Sequence, residues 1–366
     1  MILMNDFKSE PPALRDAMLA AVARVFDSGW YILGEEVVSF EREWARICGT
    51  RYAVGVGNGL DAIEIALRTM GIGSGDEVIT SPMTAFATVL GIIRAGAIPV
   101  LADIESETGL LSIESANRCI SRKTKAVILV HLYGQIRNMN AWSDFCSVNK
   151  ISLIEDCAQA HLAKISEKVA GSYGRVGAYS FYPTKNLGAI GDAGALVTND
   201  SEIAERASRL RNYGQNKRYY HSDLGMNSRI DELQAAILLE RLKWIQKFNL
   251  RRQQIAKDYY SGIQNQRIKL LSIPEEPTAH VYHLFVITCQ KRENLQEYFK
   301  NAEVQTLIHY PIPIHYQKPC RNIKCDPKGL KNSEEHAKSC LSIPCHPYMS
   351  EEDVFNVIKI INDFKS

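Results

Sequence analysis

Charge of either sign is not in excess in this chain: 43 lysines and arginines face 41 aspartates and glutamates over 366 residues, a formal net charge of +2. That balance sets up no field to hold a polyanion or an acidic membrane surface, so neither nucleic acid nor membrane is expected as a partner. Long apolar runs are missing as well, and none approaches the ~20 residues that cross a bilayer. The first residues, Met1-Ile-Leu-Met-Asn-Asp-Phe-Lys8, lack a basic region ahead of an apolar core; no signal peptide is expected, and the expected location is the cytoplasm. Cysteine is sparse, with nine scattered residues, an odd number that suits reduced thiols rather than a disulfide framework. Cys320 and Cys325, like Cys340 and Cys345, have four residues between them, but no histidine pattern accompanies them and no metal site is expected.

The chain does have apolar residues in quantity, 46% against 23% charged, enough for a large core and a second, smaller one. Leu14, Met18, Leu19, Val22, Val25 and Phe26 fall at helical spacing over 11–27, with Gly29 as the stop, and a second helix is read at 40–47. Apolar strands are predicted at 52–56, 76–80, 97–102, 124–130 and 153–156, with helical stretches between them. The alternation predicts an α/β fold, a mainly parallel sheet covered on both faces and joined by right-handed crossovers. A helix is expected at 201–211, then a long one running to about residue 260. A smaller α/β domain follows, with strands at 281–287 and 305–310 and a helix at 294–300. The expected division is a large domain, 1–245, and a small C-terminal domain, 246–366.

One stretch concentrates chemistry: Ser180-Phe-Tyr-Pro-Thr-Lys185-Asn-Leu-Gly-Ala-Ile-Gly-Asp-Ala-Gly194. It sets a single lysine between aromatics, Phe181 and Tyr182, and a run of glycines. Apolar surroundings lower an ammonium pKa by desolvation and free the amine to attack carbonyls. The glycines let backbone approach a ligand where a Cβ would clash. Upstream, Leu153-Ile-Glu-Asp156-Cys-Ala-Gln159-Ala-His161 reads as a buried strand ending on a carboxylate. A buried aspartate paired with a pyridinium nitrogen is the usual companion of a Schiff-base lysine in pyridoxal phosphate (PLP) sites. Between 57 and 67, a strand gives way through Gly57-Asn58-Gly59-Leu60 to a helix, whose first N–H groups suit a phosphate. The loop Lys217-Arg218-Tyr219-Tyr220 is basic and aromatic, fit for the diphosphate and base of a nucleotide, with Lys217 or Arg218 on phosphate and Tyr219 on a ring.

Together, Glu-Asp-x-Ala-Gln-Ala-His and Ser-Phe-Tyr-Pro-x-Lys-Asn-Leu-Gly-x-x-Gly-Asp-x-Gly resemble the DegT/DnrJ/EryC1/StrS family of sugar aminotransferases, PLP enzymes of fold type I. The resemblance extends from Gly29-Trp-Tyr-Ile-Leu-Gly34 to His309-Tyr-Pro-Ile-Pro313. It implies that Lys185 holds PLP and moves a proton as general base and acid, and that Asp156 faces the ring nitrogen. Asn58, Gly59, Leu60, Gln159, Ser180 and Asn227 are implied as further cofactor contacts, Asn227 across a dimer interface so that two chains build each site. An aromatic stacks on the ring in many relatives; here Ala85 takes its place and Phe86, one later, is the candidate. Tyr31, Tyr133, Tyr182, Lys217, Tyr219 and His309 are the implied substrate contacts. The resemblance implies transfer of an amino group from L-glutamate to a keto sugar carried on a nucleotide, for surface polysaccharide such as O-antigen or for glycosides. His309-Tyr-Pro-Ile-Pro313 points to the branch that aminates a dTDP-linked 3-keto-6-deoxyhexose. The alternatives are the 4-keto branch and, from another class, a regulatory binding protein without turnover.

Overall fold

Eight strands build the central sheet of the computed structural model, which describes residues 1–365: β1 (Tyr52–Val56), β2 (Glu77–Thr80), β3 (Ile98–Leu101), β4 (Thr124–Val130), β5 (Ser152–Asp156), β6 (Val176–Ser180), β7 (Gly194–Thr198) and β8 (Lys324–Cys325). Their order is β1-β7-β6-β5-β4-β2-β3-β8, and only β7 runs against its neighbours. Side chains alternate along the central strands. Val127, Leu129 and Leu153 join the core under Phe40, Trp44 and Trp142; Ala126, Ile128 and Ile154 join the one under Ile65, Ile203 and Ala207. Burial on both faces explains the near-continuous apolar runs, each such side chain contributing about 1.5–3 kcal/mol.

Register decides where chemistry can sit. Asp156 ends β5 opposite Val130 of β4 and Ala178 of β6, and Ser180 ends β6 opposite Gly194. Asn58 follows β1 and caps the helix Gly59–Thr69. These carboxyl ends form one rim, the place where open α/β sheets bind ligands.

The expected long helix is two: Glu232–Leu242 and Ile245–Gly262. At Lys243 and Trp244 the N–H groups bond three residues back, to Glu240 and Arg241, which tightens and breaks the ladder. The break lies where the chain passes between cores: Leu242 and Ile245 belong to the large one, Ile255, Ala256 and Tyr259 to a separate one. That second core lies on an antiparallel sheet ordered Ile268–Leu270, Phe285–Cys289, Cys340–Ile343. Helix Arg292–Asn301 matches the expected 294–300, but 305–310 is not a strand. It makes one isolated bridge, Leu307 to Ser342, and then Pro311 and Pro313 remove the donors a longer ladder needs. Residues 314–333 cross back to the large sheet. Ile314 N–H bonds Pro82 O at 3.0 Å and β8 pairs with β3. Asp326 accepts from Arg118 Nε at 2.9 Å.

Candidate active site

Lys185 rides on the turn after β6. Its N–H bonds Tyr182 O at 2.8 Å, and Phe181 and Ala189 tie the loop across with 2.7 Å bonds. Gly188 has no alternative, because a Cβ there would lie 2.2 Å from Pro183 O. Phe181 is buried, stacked on His161 with ring centroids 5.6 Å apart and edge-on to Trp44 at 5.3 Å. Aromatic packing thus holds the loop that carries the lysine. Burial pushes the Lys185 ammonium down to about 8, while the nearby Asp156 charge pulls it partly back.

Asp156 is 6% exposed. Thr88 donates to its Oδ2 at 2.7 Å and Ala158 N–H to its Oδ1 at 3.1 Å. Behind Thr88 stands Thr84, with hydroxyls 2.8 Å apart. Gln159, one turn on, has both ends of its amide engaged: Oε1 accepts from Tyr133 N–H at 2.6 Å, and Nε2 donates to Tyr310 Oη at 3.2 Å. Burial, and then the charge of Asp156, push the Tyr310 phenol up to about 12, so it keeps a proton to donate. His309 lies half-buried with Nδ1 2.8 Å from Ser342 Oγ; burial and then the Lys185 charge push it down to about 4 and leave it neutral.

The residue before Asp156 looks like a metal ligand and is something else. His131, Glu155 and Cys157 offer ligand atoms within 4.8 Å of one another, the one such cluster among the described residues. Yet Glu155 already accepts from Gly171, Tyr173 and Gly174 N–H at 2.6–2.8 Å and faces His131 Nε2 at 2.8 Å. Its carboxylate is saturated, and it pins the loop 171–174 under the site.

At the helix start, Asn58 Oδ1 accepts from Asp61 N–H at 2.9 Å and Nδ2 donates to Asp61 Oδ2 at 3.1 Å. The Asn58 side chain therefore acts as the cap, and the N–H groups of Gly59 and Leu60 are the ones left for an anion. Gly59 lies so close to Ser180 that a Cβ there would sit 2.6 Å from Ser180 Cβ. The helix terminus and the Ser180 hydroxyl thus share one small cradle.

Phe86 is the first residue of the helix Phe86–Arg94 and is 36% exposed, Ala85 is the extended residue before it, and Thr88, two positions on, faces Asp156. One sequence expectation needs correction. Tyr133 is fully buried, its hydroxyl donating to His309 O at 2.7 Å and 2.8 Å from His336 Nε2. It braces the seam between the two sheets instead of facing a substrate.

The remaining expected residues are not gathered around Lys185 by hydrogen bonds. Tyr31 and Tyr182 are about half exposed, at 49% and 51%. Lys217 and Tyr219 belong to a hairpin, Gln215–Lys217 with Tyr220–His221, and Tyr219 is 77% exposed at its tip under the Arg218 guanidinium. Asn227 is exposed, although its neighbour Ser228 is locked in place: Ser228 Oγ accepts from Gly57 N–H at 2.9 Å and donates to Asp61 at 2.6 Å. Thr84, Thr88 and Tyr310 are site residues that the sequence did not single out. Only the proximity of Tyr310 to His309 in the quoted motif hinted at one of them.

A desolvated lysine beside an anchored aspartate, at the carboxyl ends of a mainly parallel sheet, defines a PLP-dependent transferase of fold type I. The residues present fit that cofactor: an amine held near neutrality, a carboxylate fixed by two donors, and a helix terminus opened by glycine. The chain belongs to the DegT/DnrJ/EryC1/StrS aminotransferase family, whose sequence profile matches residues 12–362. It is 44% identical over 344 residues, 94% of each chain, to the dTDP-3-amino-3,6-dideoxy-alpha-D-galactopyranose transaminase of Aneurinibacillus thermoaerophilus. It is 38% identical, over 99% of this chain and 98% of the relative, to a protein of Geobacillus stearothermophilus named a pleiotropic regulatory protein. The crystal structure of S. venezuelae DesV superposes with a TM-score of 0.95 at 38% identity, covering 99% of this chain and 97% of that one. Aminotransferases of this family depend on PLP, and no helix among the described residues is long and apolar enough to cross a membrane.

Proposed function

We propose that the protein transfers the amino group of L-glutamate to a dTDP-linked 3-keto-6-deoxyhexose, giving a 3-amino-3,6-dideoxy sugar nucleotide for surface polysaccharide or glycoside synthesis in the cytoplasm. The observation that carries the chemistry is the Lys185 amine, held at about 8 beside Asp156. The sugar is supported by 44% identity to a transaminase named for such a product. When bound, PLP carries the amino group between donor and acceptor and draws off the electron pair released at carbon. Lys185 would hold the cofactor, and its free amine would take the proton from the donor Cα and deliver it to the cofactor carbon that receives the amino group, a transfer suited to a group near neutrality. Asp156 keeps a negative charge at the ring nitrogen. The N–H groups of Gly59 and Leu60 and the Ser180 hydroxyl bind the phosphate. Gln159, through Tyr310, and neutral His309 border the sugar side.

The rim belongs to a homodimer in this reading. Trp30, Tyr31, Ile190, Tyr219 and Leu224 are large apolar side chains left exposed, and Asn227 has no side-chain hydrogen bond among the described residues. A second copy would cover the former and receive Asn227 at its own phosphate; Lys217 and Tyr219 would then meet the nucleotide. The division at 245/246 fits this scheme, with 314–333 as a strap laid over the large domain.

The test is the absorbance spectrum of the holoenzyme before and after L-glutamate. The visible band should bleach and should return with a dTDP-linked 3-keto sugar. Return only with a 4-keto sugar would move the protein to the other branch. A protein that never acquires a visible band in the presence of PLP would be a binding protein and not an enzyme.

A further inference from the structure

Thr88 lies in the first turn of the helix Phe86–Arg94, where a threonine hydroxyl has local backbone groups to bond. Here it reaches instead to Asp156 Oδ2 at 2.7 Å. All three members of the chain Thr84, Thr88 and Asp156 are buried. An ionised carboxylate only accepts, so the single Thr88 proton goes to Asp156. The Thr88 oxygen can then only accept from Thr84, 2.8 Å away, and the chain runs one way, from Thr84 through Thr88 to Asp156. With Ala158 N–H on Oδ1, both oxygens are fixed, and the plane of the carboxylate is set before any ligand arrives.

We propose that Thr88, backed by Thr84, is a positioning residue of the PLP site: it holds the Asp156 carboxylate oriented toward the ring nitrogen. The inference rests on the assignment of Asp156 to that nitrogen. It also bears on Ala85. With alanine at 85, where many relatives carry an aromatic, the anchor through Asp156 would carry more of the hold on the ring.

The test compares Thr88→Val, which keeps the shape and removes the hydroxyl, with Thr88→Ser, which keeps the hydroxyl. The rate at which the holoenzyme loses PLP on dialysis should rise about tenfold or more in Thr88→Val, the effect of losing a hydrogen bond to a charged group. The visible band should also change in its dependence on pH. Thr88→Ser should stay within about threefold of the parent with its spectrum unaltered, and Thr84→Val should show a smaller change of the same kind. Equal loss of PLP from the Val and Ser proteins would assign the effect to packing and overturn the proposal, as would a Val protein identical to the parent. If Thr88→Val fails to fold, Thr84→Val decides: no change in PLP loss and none in the spectrum sinks the chain. Asp156→Asn separates the two ideas. An unaltered spectrum in that variant removes Asp156 from the ring nitrogen, whereas an altered one with silent threonines removes only the relay.

Discussion

Asp156 and Asn227 were both assigned to the cofactor, and they stand in opposite physical states. Asp156 is buried and anchored through both oxygens to Thr88 and Ala158; its neighbours Glu155 and Gln159 are likewise saturated. Asn227 is exposed and without a side-chain partner among the described residues, and Lys217 and Tyr219 stand out on a hairpin, their side chains against the rings and guanidinium of the hairpin itself. The floor of the site is finished within one chain. Its rim is a set of exposed groups left to water. Burial explains the difference: an unpaired polar group in the floor would cost about 1–3 kcal/mol, while on the rim water satisfies it at no cost.

The comparison is tested most severely at Lys185. Lys185→Ala should lower transamination by at least about 10⁴-fold, because no other group on the floor replaces its proton transfer. Retained turnover would end the mechanism. The same lysine predicts a pH profile. Below about 8 it is an ammonium and above it a free amine. The rate at which apoprotein recaptures PLP should therefore climb about tenfold per pH unit up to about 8 and then level off. An unshifted lysine would keep climbing to its ordinary 10.5. The linkage has a definite sign: between those two values the unfolded chain holds a proton that the folded one has lost, so the apo fold gains stability as pH rises across the window.

Asn227 offers the next largest effect and the sharpest test of a shared rim. Asn227→Ala should weaken the hold on PLP about tenfold. A mixture of Lys185→Ala and Asn227→Ala chains, unfolded and refolded together and assayed at a PLP concentration that leaves the Asn227→Ala protein mostly without cofactor, should regain activity above either parent. Half of the dimers are then mixed, each with one intact site, which restores roughly a quarter of wild-type activity. No gain on mixing would place Asn227 in its own chain's site or in none.

Much of the floor was legible in the sequence because burial leaves a pattern there. Apolar runs marked β1 to β5, and a carboxylate at the end of one and a lysine between aromatics and glycines marked Asp156 and Lys185. Thr88 left no such mark, since a threonine in a helix looks the same whether its hydroxyl meets its own backbone or a carboxylate 68 residues away. Tyr133 was misread because proximity to a strand end does not say which way a hydroxyl points. The strap at 314–333 escaped because a two-residue strand has no periodicity, and its anchors, Asp326 with Arg118 among them, are distant in sequence.

The smallest effects should come from the hairpin, and they distinguish a recognition surface from a catalytic one. Lys217 and Tyr219 are exposed, so removing either leaves no buried group unpaired and the fold should keep its melting temperature. If they meet the nucleotide, Lys217→Ala and Tyr219→Ala should each raise KM for the sugar nucleotide about three- to tenfold with kcat nearly unchanged, the signature of contacts equally strong before and during the reaction. KM for L-glutamate, which carries no nucleotide, should not move. Added salt should erode the Lys217 contribution and spare that of Tyr219, because screening weakens an exposed charge–phosphate contact and leaves ring stacking intact. A fall in kcat with KM unchanged would mean that the hairpin takes part in the chemistry, and the line between floor and rim would have to be redrawn to include it.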